Sequence, residues 1–174
     1  FTENEANNGG AILSNAQLSV TNSSFISNTA AETGGGIRVS GGTATIRDST
    51  IANNTSFQSP AIQVQGAATA DIVNSTIADN IATNAYGGII MTGAGTIVTM
   101  TNTTVSSNTS PSISSAVFVF NGAVLNMNNS IFANTLIGWD CFNNGGTVNF
   151  SPGLSNLIEN DGGNACGTAG TDYI

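Results

Sequence analysis

The chain has 174 residues, of which 7% are charged; ten acidic residues stand against two basic ones, Arg38 and Arg47, with no His, for a formal net charge of −8. Nucleic acid and anionic membrane surfaces both require a basic patch, so neither is an expected partner. Membrane insertion is not expected either: from Asn80 to Trp139 there is no charged side chain, but Asn, Ser, Thr and Gly stud the stretch and would be stranded in lipid.

One phrase returns along the chain, Asn74-Ser75-Thr76-Ile77-Ala78-Asp79-Asn80 in its clearest form. Its apolar residue and closing Asn recur as Phe1/Asn4, Phe25/Asn28, Ile51/Asn54, Ile77/Asn80, Val105/Asn108, Ile131/Asn134 and Leu157/Asn160, at steps of 24, 26, 26, 28, 26 and 26 residues. A fixed period of this size marks a repeat array in which neighbours stack to share one core. The first coil contains Ala11-Ile12, then Leu18-Ser19-Val20, then Ser24-Phe25, three short alternations separated by Gly and Asn. Period-2 alternation of this length reads as a half-buried strand, and Gly or Asn supplies the turns. The second coil offers Ile37-Arg38-Val39, Thr43-Ala44-Thr45-Ile46 and Ser49-Thr50-Ile51, and the third Ile62-Gln63-Val64, Ala70-Asp71-Ile72 and the reference phrase. Ile89-Ile90-Met91, Val98-Thr99-Met100 and Thr103-Thr104-Val105 make the fourth; Val117-Phe118-Val119, Leu125-Asn126-Met127 and Ser130-Ile131 make the fifth.

The inward residues then form three rows: Ile12, Ile37, Ile62, Ile89 and Val117; Val20, Ile46, Ile72, Met100 and Met127; and Phe25, Ile51, Ile77, Val105 and Ile131. The expected fold is all-β: a parallel β-helix (β-solenoid) with three short strands per coil and about six to seven coils, stacked at roughly 4.8 Å into a rod on the order of 30 Å long. The usual crossover chirality makes the coil right-handed. Asn28, Asn54, Asn80, Asn108 and Asn134 are expected to stack as a structural ladder at one turn, and Asn22, Asp48, Asn74, Asn102 and Asn128 as a second polar row. Residues 1–174 are read as a single solenoid domain that opens in mid-phrase, as a piece of a longer chain does, with 135–174 an irregular C-terminal coil. In that coil Cys141 and Cys166 lie 25 residues apart, close to one period, which places them on neighbouring coils and predicts a disulfide in an oxidising, extracellular setting.

Gly9-Gly10-Ala11-Ile12 with Phe1-Thr2-Glu3-Asn4, and Gly34-Gly35-Gly36-Ile37 with Phe25-Ile26-Ser27-Asn28, resemble the GGAI and FxxN repeats of the polymorphic outer-membrane protein family. The array as a whole resembles the right-handed parallel β-helix of bacterial cell-surface and secreted proteins. The segment from Asp140-Cys141 through Leu157-Ile158 to Ala165-Cys166-Gly167 is similar to their two-cysteine terminal element. Later coils depart, with Pro60-Ala61-Ile62 and Ser115-Ala116-Val117 in place of the Gly pair. The resemblance implies surface display, adhesion or an extracellular scaffold.

The same fold resembles that of pectin lyases, esterases and polygalacturonases, whose chemistry needs clustered acid and base groups. Here Arg38 and Arg47 fall on different strands, Asp48 belongs to the second polar row, and Asp71 and Asp79 stand alone in their coils, so no catalytic, metal or cofactor site is expected. Glu3, Glu5 and Glu32, like Glu159 and Asp161, read as solvated acidic rims rather than cation sites. Eight Asn-x-Ser/Thr sequons, at Asn22, Asn53, Asn54, Asn74, Asn102, Asn108, Asn128 and Asn149, come largely from the repeat phrase. The outward row of the first strands runs Leu13, Arg38, Gln63, Ile90 and Phe118, followed by Phe120, and turns apolar downstream. Ile90, Phe118 and Phe120 are the candidate interaction patch unless a loop or neighbouring segment covers them, and Tyr86 and Trp139 are candidate glycan contacts. The expected function is a non-enzymatic structural or adhesive module of a surface protein or filament. Its partners would be copies of itself end to end, other surface proteins or glycans. A polysaccharide-binding or polysaccharide-cleaving module is the alternative.

Overall fold

The computed structural model describes residues 1–111, 115–151, 155–160 and Cys166, and among these every regular element is a strand. Among the described residues no helix is long and apolar enough to cross a membrane. The first coil contains β1 (Glu5–Asn8), β2 (Ile12–Ser14), β3 (Leu18–Thr21) and β4 (Ser24–Ile26); the second β5 (Thr29–Thr33), β6 (Ile37–Val39), β7 (Thr43–Arg47) and β8 (Thr50–Ala52). The third has β9 (Thr55–Gln58), β10 (Ile62–Gln65), β11 (Thr69–Val73) and β12 (Thr76–Ala78), and the fourth β13 (Ile81–Ala85), β14 (Ile89–Thr92), β15 (Ile97–Thr101) and β16 (Thr104–Ser106). The fifth has β17 (Ser115–Phe120), β18 (Val124–Asn128) and β19 (Ile131–Ala133), and the sixth β20 (Trp139–Asn144), β21 (Thr147–Phe150) and β22 (Leu157–Ile158).

Each strand pairs in parallel with its equivalents in the adjoining coils. The result is three six-stranded sheets, led by β2, β3 and β4, which are the walls the alternation predicts. A fourth sheet, β1-β5-β9-β13, runs beside the first four coils only. Alternation did not reveal it, because Glu5–Asn8 and Thr29–Thr33 carry little apolar residue on either face. Equivalent residues sit opposite one another: Ile12, Ile37, Ile62, Ile89 and Val117 align, as do Val20, Ile46, Ile72, Met100 and Met127. With few exceptions these side chains are fully buried and form one continuous core.

The third row holds from Phe25 through Ile51 and Ile77 to Val105 and then slips by one residue. Val105 pairs with Phe132, which is fully buried, whereas Ile131 points outward and is 42% exposed. In the sixth coil Ile158 is inward and Leu157 pairs with Ile131. The cause is the Asn128-Asn129 doublet. The turn residue with positive φ is Asn22, Asp48, Asn74 and Asn102 in the first four coils but Asn129 in the fifth. The second polar row therefore ends on Asn129, whose Nδ2 donates to Asn102 Oδ1 at 2.6 Å, and Asn128 instead donates to Thr101 Oγ1.

The slip also removes Asn134 from the ladder. Each buried ladder Asn has one Oδ1 that accepts both the backbone N–H and the Nδ2–H of the Asn one coil earlier. Asn54 Oδ1 receives Asn28, Asn80 Oδ1 receives Asn54 and Asn108 Oδ1 receives Asn80, at 2.8–3.1 Å. The Nδ2 groups donate onward to turn carbonyls, Asn54 to Phe25 O and Asn80 to Ile51 O. At the N-terminal end the ladder gains Asn4, which donates twice to Asn28 Oδ1. At the other end Thr135 takes the ladder register and Asn134 is exposed, its N–H donating to Glu159 Oε2.

A second internal ladder went unread in the sequence. The second residue of the phrase is a hydroxyl in the first five coils, Ser23, Ser49, Ser75, Thr103 and Ser130, and in the sixth Asn156 takes its place, its Oδ1 accepting the Ser130 N–H. Ser49 Oγ accepts from Ser23 N, Ser75 Oγ from Ser49 N and Ser130 Oγ from Thr103 N, and each hydroxyl donates to the carbonyl two residues back. Both ladders satisfy turn groups that the parallel pairing leaves out, which lets the turns be buried.

Candidate functional site

The repeat's polar residues are consumed by the ladders, so a site is to be sought where the coils differ. The outer face of the sheet β2-β6-β10-β14-β17-β20 is that place. Its outward row reads Leu13, Arg38, Gln63, Ile90, Phe118 and Phe142, each paired with the next across a strand boundary.

Two of the three residues expected to form an exposed apolar patch are buried: Ile90 is 5% exposed and Phe118 is 0%. The alternative outcome, a loop folded over them, holds in part, because Tyr86 lies between β13 and β14 and packs edge-on to Phe118 and Phe120 at centroid distances of 4.8 and 5.4 Å. Phe120 remains half-buried. Phe118 also stacks on Phe120 and meets Phe142, and Phe142 stacks on Trp139 at 5.1 Å. The two candidate glycan contacts, Tyr86 and Trp139, are thus opposite ends of one aromatic cluster; both are half-buried.

Tyr86 reaches that position through an unusual backbone. Gly9, Gly34, Ser59 and Tyr86 each stand three residues before the paired Ile12, Ile37, Ile62 and Ile89, so they occupy one turn of successive coils. There the N–H of Gly34 donates to Ser59 O and that of Ser59 to Tyr86 O. All four have positive φ, +62°, +68°, +56° and +63°. Glycine adopts this conformation freely, whereas a bulky residue there is strained by about 1–3 kcal/mol. The fourth coil accepts that strain and thereby carries an aromatic ring over the sheet face.

Beside Tyr86 runs a groove of about 240 Å³ lined by Gln58, Gln63, Tyr86, Ile90, Thr92, Phe120 and Asn121. Gln63 is only 8% exposed, and its Oε1 is buried without a hydrogen-bond partner. Arg38, its partner on β6, has its Nε in the same condition, while the guanidinium Nη1 donates to Asn8 Oδ1. Asn121 Nδ2 donates to Thr92 Oγ1 at 3.4 Å.

The remaining candidates separate. Arg38 is on β6 and Arg47 on β7, in different sheets, and Asp71 faces outward on β11. Asp48 accepts from Asn74 in the exposed row, and Asp79 occupies a positive-φ turn. Glu32 accepts from Asn8 Nδ2, while Glu3 and Glu5 are exposed. Asp161 lies outside the described residues. Among those described, no group of three or more His, Cys, Asp or Glu could hold a metal ion. Of the sequons, Asn54 and Asn108 are fully buried, whereas Asn22, Asn53, Asn74, Asn102 and Asn149 are exposed.

Cys141 and Cys166 form the expected disulfide, with Cα atoms 5.7 Å apart and both residues fully buried. Beside it a second hollow of about 430 Å³ is lined by Asn134, Thr135, Leu136, Asp140, Glu159 and Asn160. Asp140, 1% exposed, accepts Thr135 N–H on Oδ1 and Asn160 N–H on Oδ2, at 2.9 and 2.8 Å. No protein-family model matches the chain, and neither does any curated protein or any solved structure.

Proposed function

We propose that this chain is a non-enzymatic extracellular β-solenoid, a rigid structural or adhesive module of a surface protein or filament, of the kind its GGAI and FxxN phrases resemble. The observation that carries this reading is a division of labour in the repeat. The repeated polar groups are engaged in hydrogen bonds between coils, as the Asn ladder at 2.8–3.1 Å is, while one face abandons the repeat for Gln63, Ile90, Phe118 and Phe142. A fold satisfied internally and varied on one outer face suits display. A disulfide persists in oxidising surroundings, which supports an extracellular location.

The filament form of the reading rests on the parallel in-register stacking of the coils, a geometry that further coils of the same kind can continue. Cryo-electron microscopy of the native material tests it. Coils continuing across subunit boundaries at about 4.8 Å make the chain a filament subunit, and isolated rods make it a display module. Immunogold labelling that finds the protein only inside cells, or release of oligosaccharides from a polysaccharide panel by the purified chain, overturns the reading. The second reading, a polysaccharide-binding or polysaccharide-cleaving module, is favoured by one observation: Tyr86 and Trp139 end a single aromatic cluster, with an uncharged groove beside Tyr86.

A further inference from the structure

We propose that the groove beside Tyr86 is a saccharide-binding subsite that takes an uncharged pyranose unit of a glycan chain. The inference rests on the display reading above and names what the displayed face holds. Four of the lining residues, Gln58, Gln63, Thr92 and Asn121, offer amides or a hydroxyl; Tyr86 and Phe120 offer aromatic rings, and Ile90 an apolar floor. None is charged. A sugar ring has the complementary chemistry, with C–H faces that lie against aromatic rings and a rim of hydroxyls that both donate and accept. An anionic sugar would need a cation, and Arg38, the one charged residue of the outward row, is not among the lining residues and has its guanidinium engaged by Asn8.

The observation that points to a ligand is Gln63. A buried carboxamide oxygen without a partner is costly, and native structures leave few. Its register neighbour Arg38 has an unpartnered donor at Nε. Gln63 itself lines the groove, so a hydroxyl seated there lies beside its carboxamide, which both donates and accepts. The strained Tyr86 is a second, independent sign. The first two coils place glycine at this turn and the third a small residue, Ser59; the fourth puts a ring there, and that ring walls the groove. The volume of about 240 Å³ suits one ring rather than a long segment, so specificity lies in the unit and avidity in repetition along the glycan.

The test uses neutral hexasaccharides of glucose, mannose, xylose and N-acetylglucosamine, with polygalacturonate as the acidic counterpart, titrated by calorimetry into the whole chain. Three variants accompany it. Gln63→Leu removes the carboxamide at similar size, Tyr86→Gly removes the wall at a turn where Gly9 and Gly34 already stand, and Asp71→Asn alters the outer face of another sheet. A native circular-dichroism spectrum and a cooperative melt show that each variant folds.

The expected result is binding of at least one neutral hexasaccharide and not of polygalacturonate, weakened about tenfold or more by Gln63→Leu and by Tyr86→Gly and untouched by Asp71→Asn. Binding that survives both groove variants overturns the subsite and leaves the display reading standing. Binding of polygalacturonate alone, or of nothing in the panel, also overturns it. The display reading then stands or falls separately, on the immunogold labelling and the polysaccharide-turnover assay.

Discussion

Truncating Asn80 to Ala should be among the most damaging single changes in the molecule, and the structure gives the scale. The side-chain Oδ1 accepts Asn54 N and Asn54 Nδ2, and the two Nδ2 hydrogens are shared among Ile51 O, Ala78 O and Asn108 Oδ1. Some partners keep another bond, since Asn54 Nδ2 still reaches Phe25 O and Asn108 Oδ1 still accepts Asn80 N. The Asn54 N–H does not; it is left buried and unpaired, at a cost of about 1–3 kcal/mol, and the other losses bring the total to about 3–5 kcal/mol. A domain is stable by only about 5–15 kcal/mol, so a third or more of the margin disappears. Asn4→Ala is the internal control. Asn4 is exposed and its side chain gives one bond to Asn28 Oδ1, which keeps the Asn4 N–H, so the loss should stay below about 1 kcal/mol. Urea melts followed by circular dichroism measure both, with the m-value checked because a stacked array can unfold in parts. Equal losses at the two positions would refute the ladder as an energetic unit.

Phe132→Ala should cost about 3–5 kcal/mol and Ile131→Ala less than about 1, and the reverse order would restore the register that places Ile131 inward. Replacing Cys141 and Cys166 with Ser should cost about 3.5 kcal/mol in the chain-entropy picture for a 25-residue separation, with the loss of amide protection confined to the last coil. Asp140→Asn should destabilise by about 1–3 kcal/mol, because its amide can accept only one of the Thr135 and Asn160 N–H groups; hydrogen exchange at those two amides reports which one is lost.

The fold was legible because parallel stacking forces like onto like, and a one-coil period in Ile and Asn is the trace of that constraint in sequence. The slip at the fifth coil was legible too, by a different rule. From Val20 to Phe25, Ile46 to Ile51, Ile72 to Ile77 and Met100 to Val105 the spacing is five residues, and five from Met127 is Phe132. Matching the phrase at Asn128 rather than Asn129 concealed it. The fourth sheet was not legible, since Thr29–Thr33 and Thr55–Gln58 pair through backbone rather than through an apolar face. The groove could be guessed only in part. Tyr86 stood out as an aromatic, and its kinship with Gly9 and Gly34, each three residues before the first inward row, could have been read from the alignment; the unpartnered oxygen of Gln63 is invisible without coordinates.

The ends of the ladder differ in kind, and this bears on where the molecule opens. From Asn4 to Asn108 each coil is tied to the next by the same carboxamide pair. At Thr135 the carboxamide is gone, its Oγ1 is buried without a partner, and the buried carboxylate of Asp140 holds the Thr135 and Asn160 amides instead. The disulfide lies one residue beyond that carboxylate, at Cys141. A covalent bond is most useful where the repeated polar bonding stops, because it limits how far a locally opened segment can depart. The last coil should therefore exchange its amides first, while coils two to four, threaded by the Asn ladder and the fourth sheet, exchange only with global unfolding.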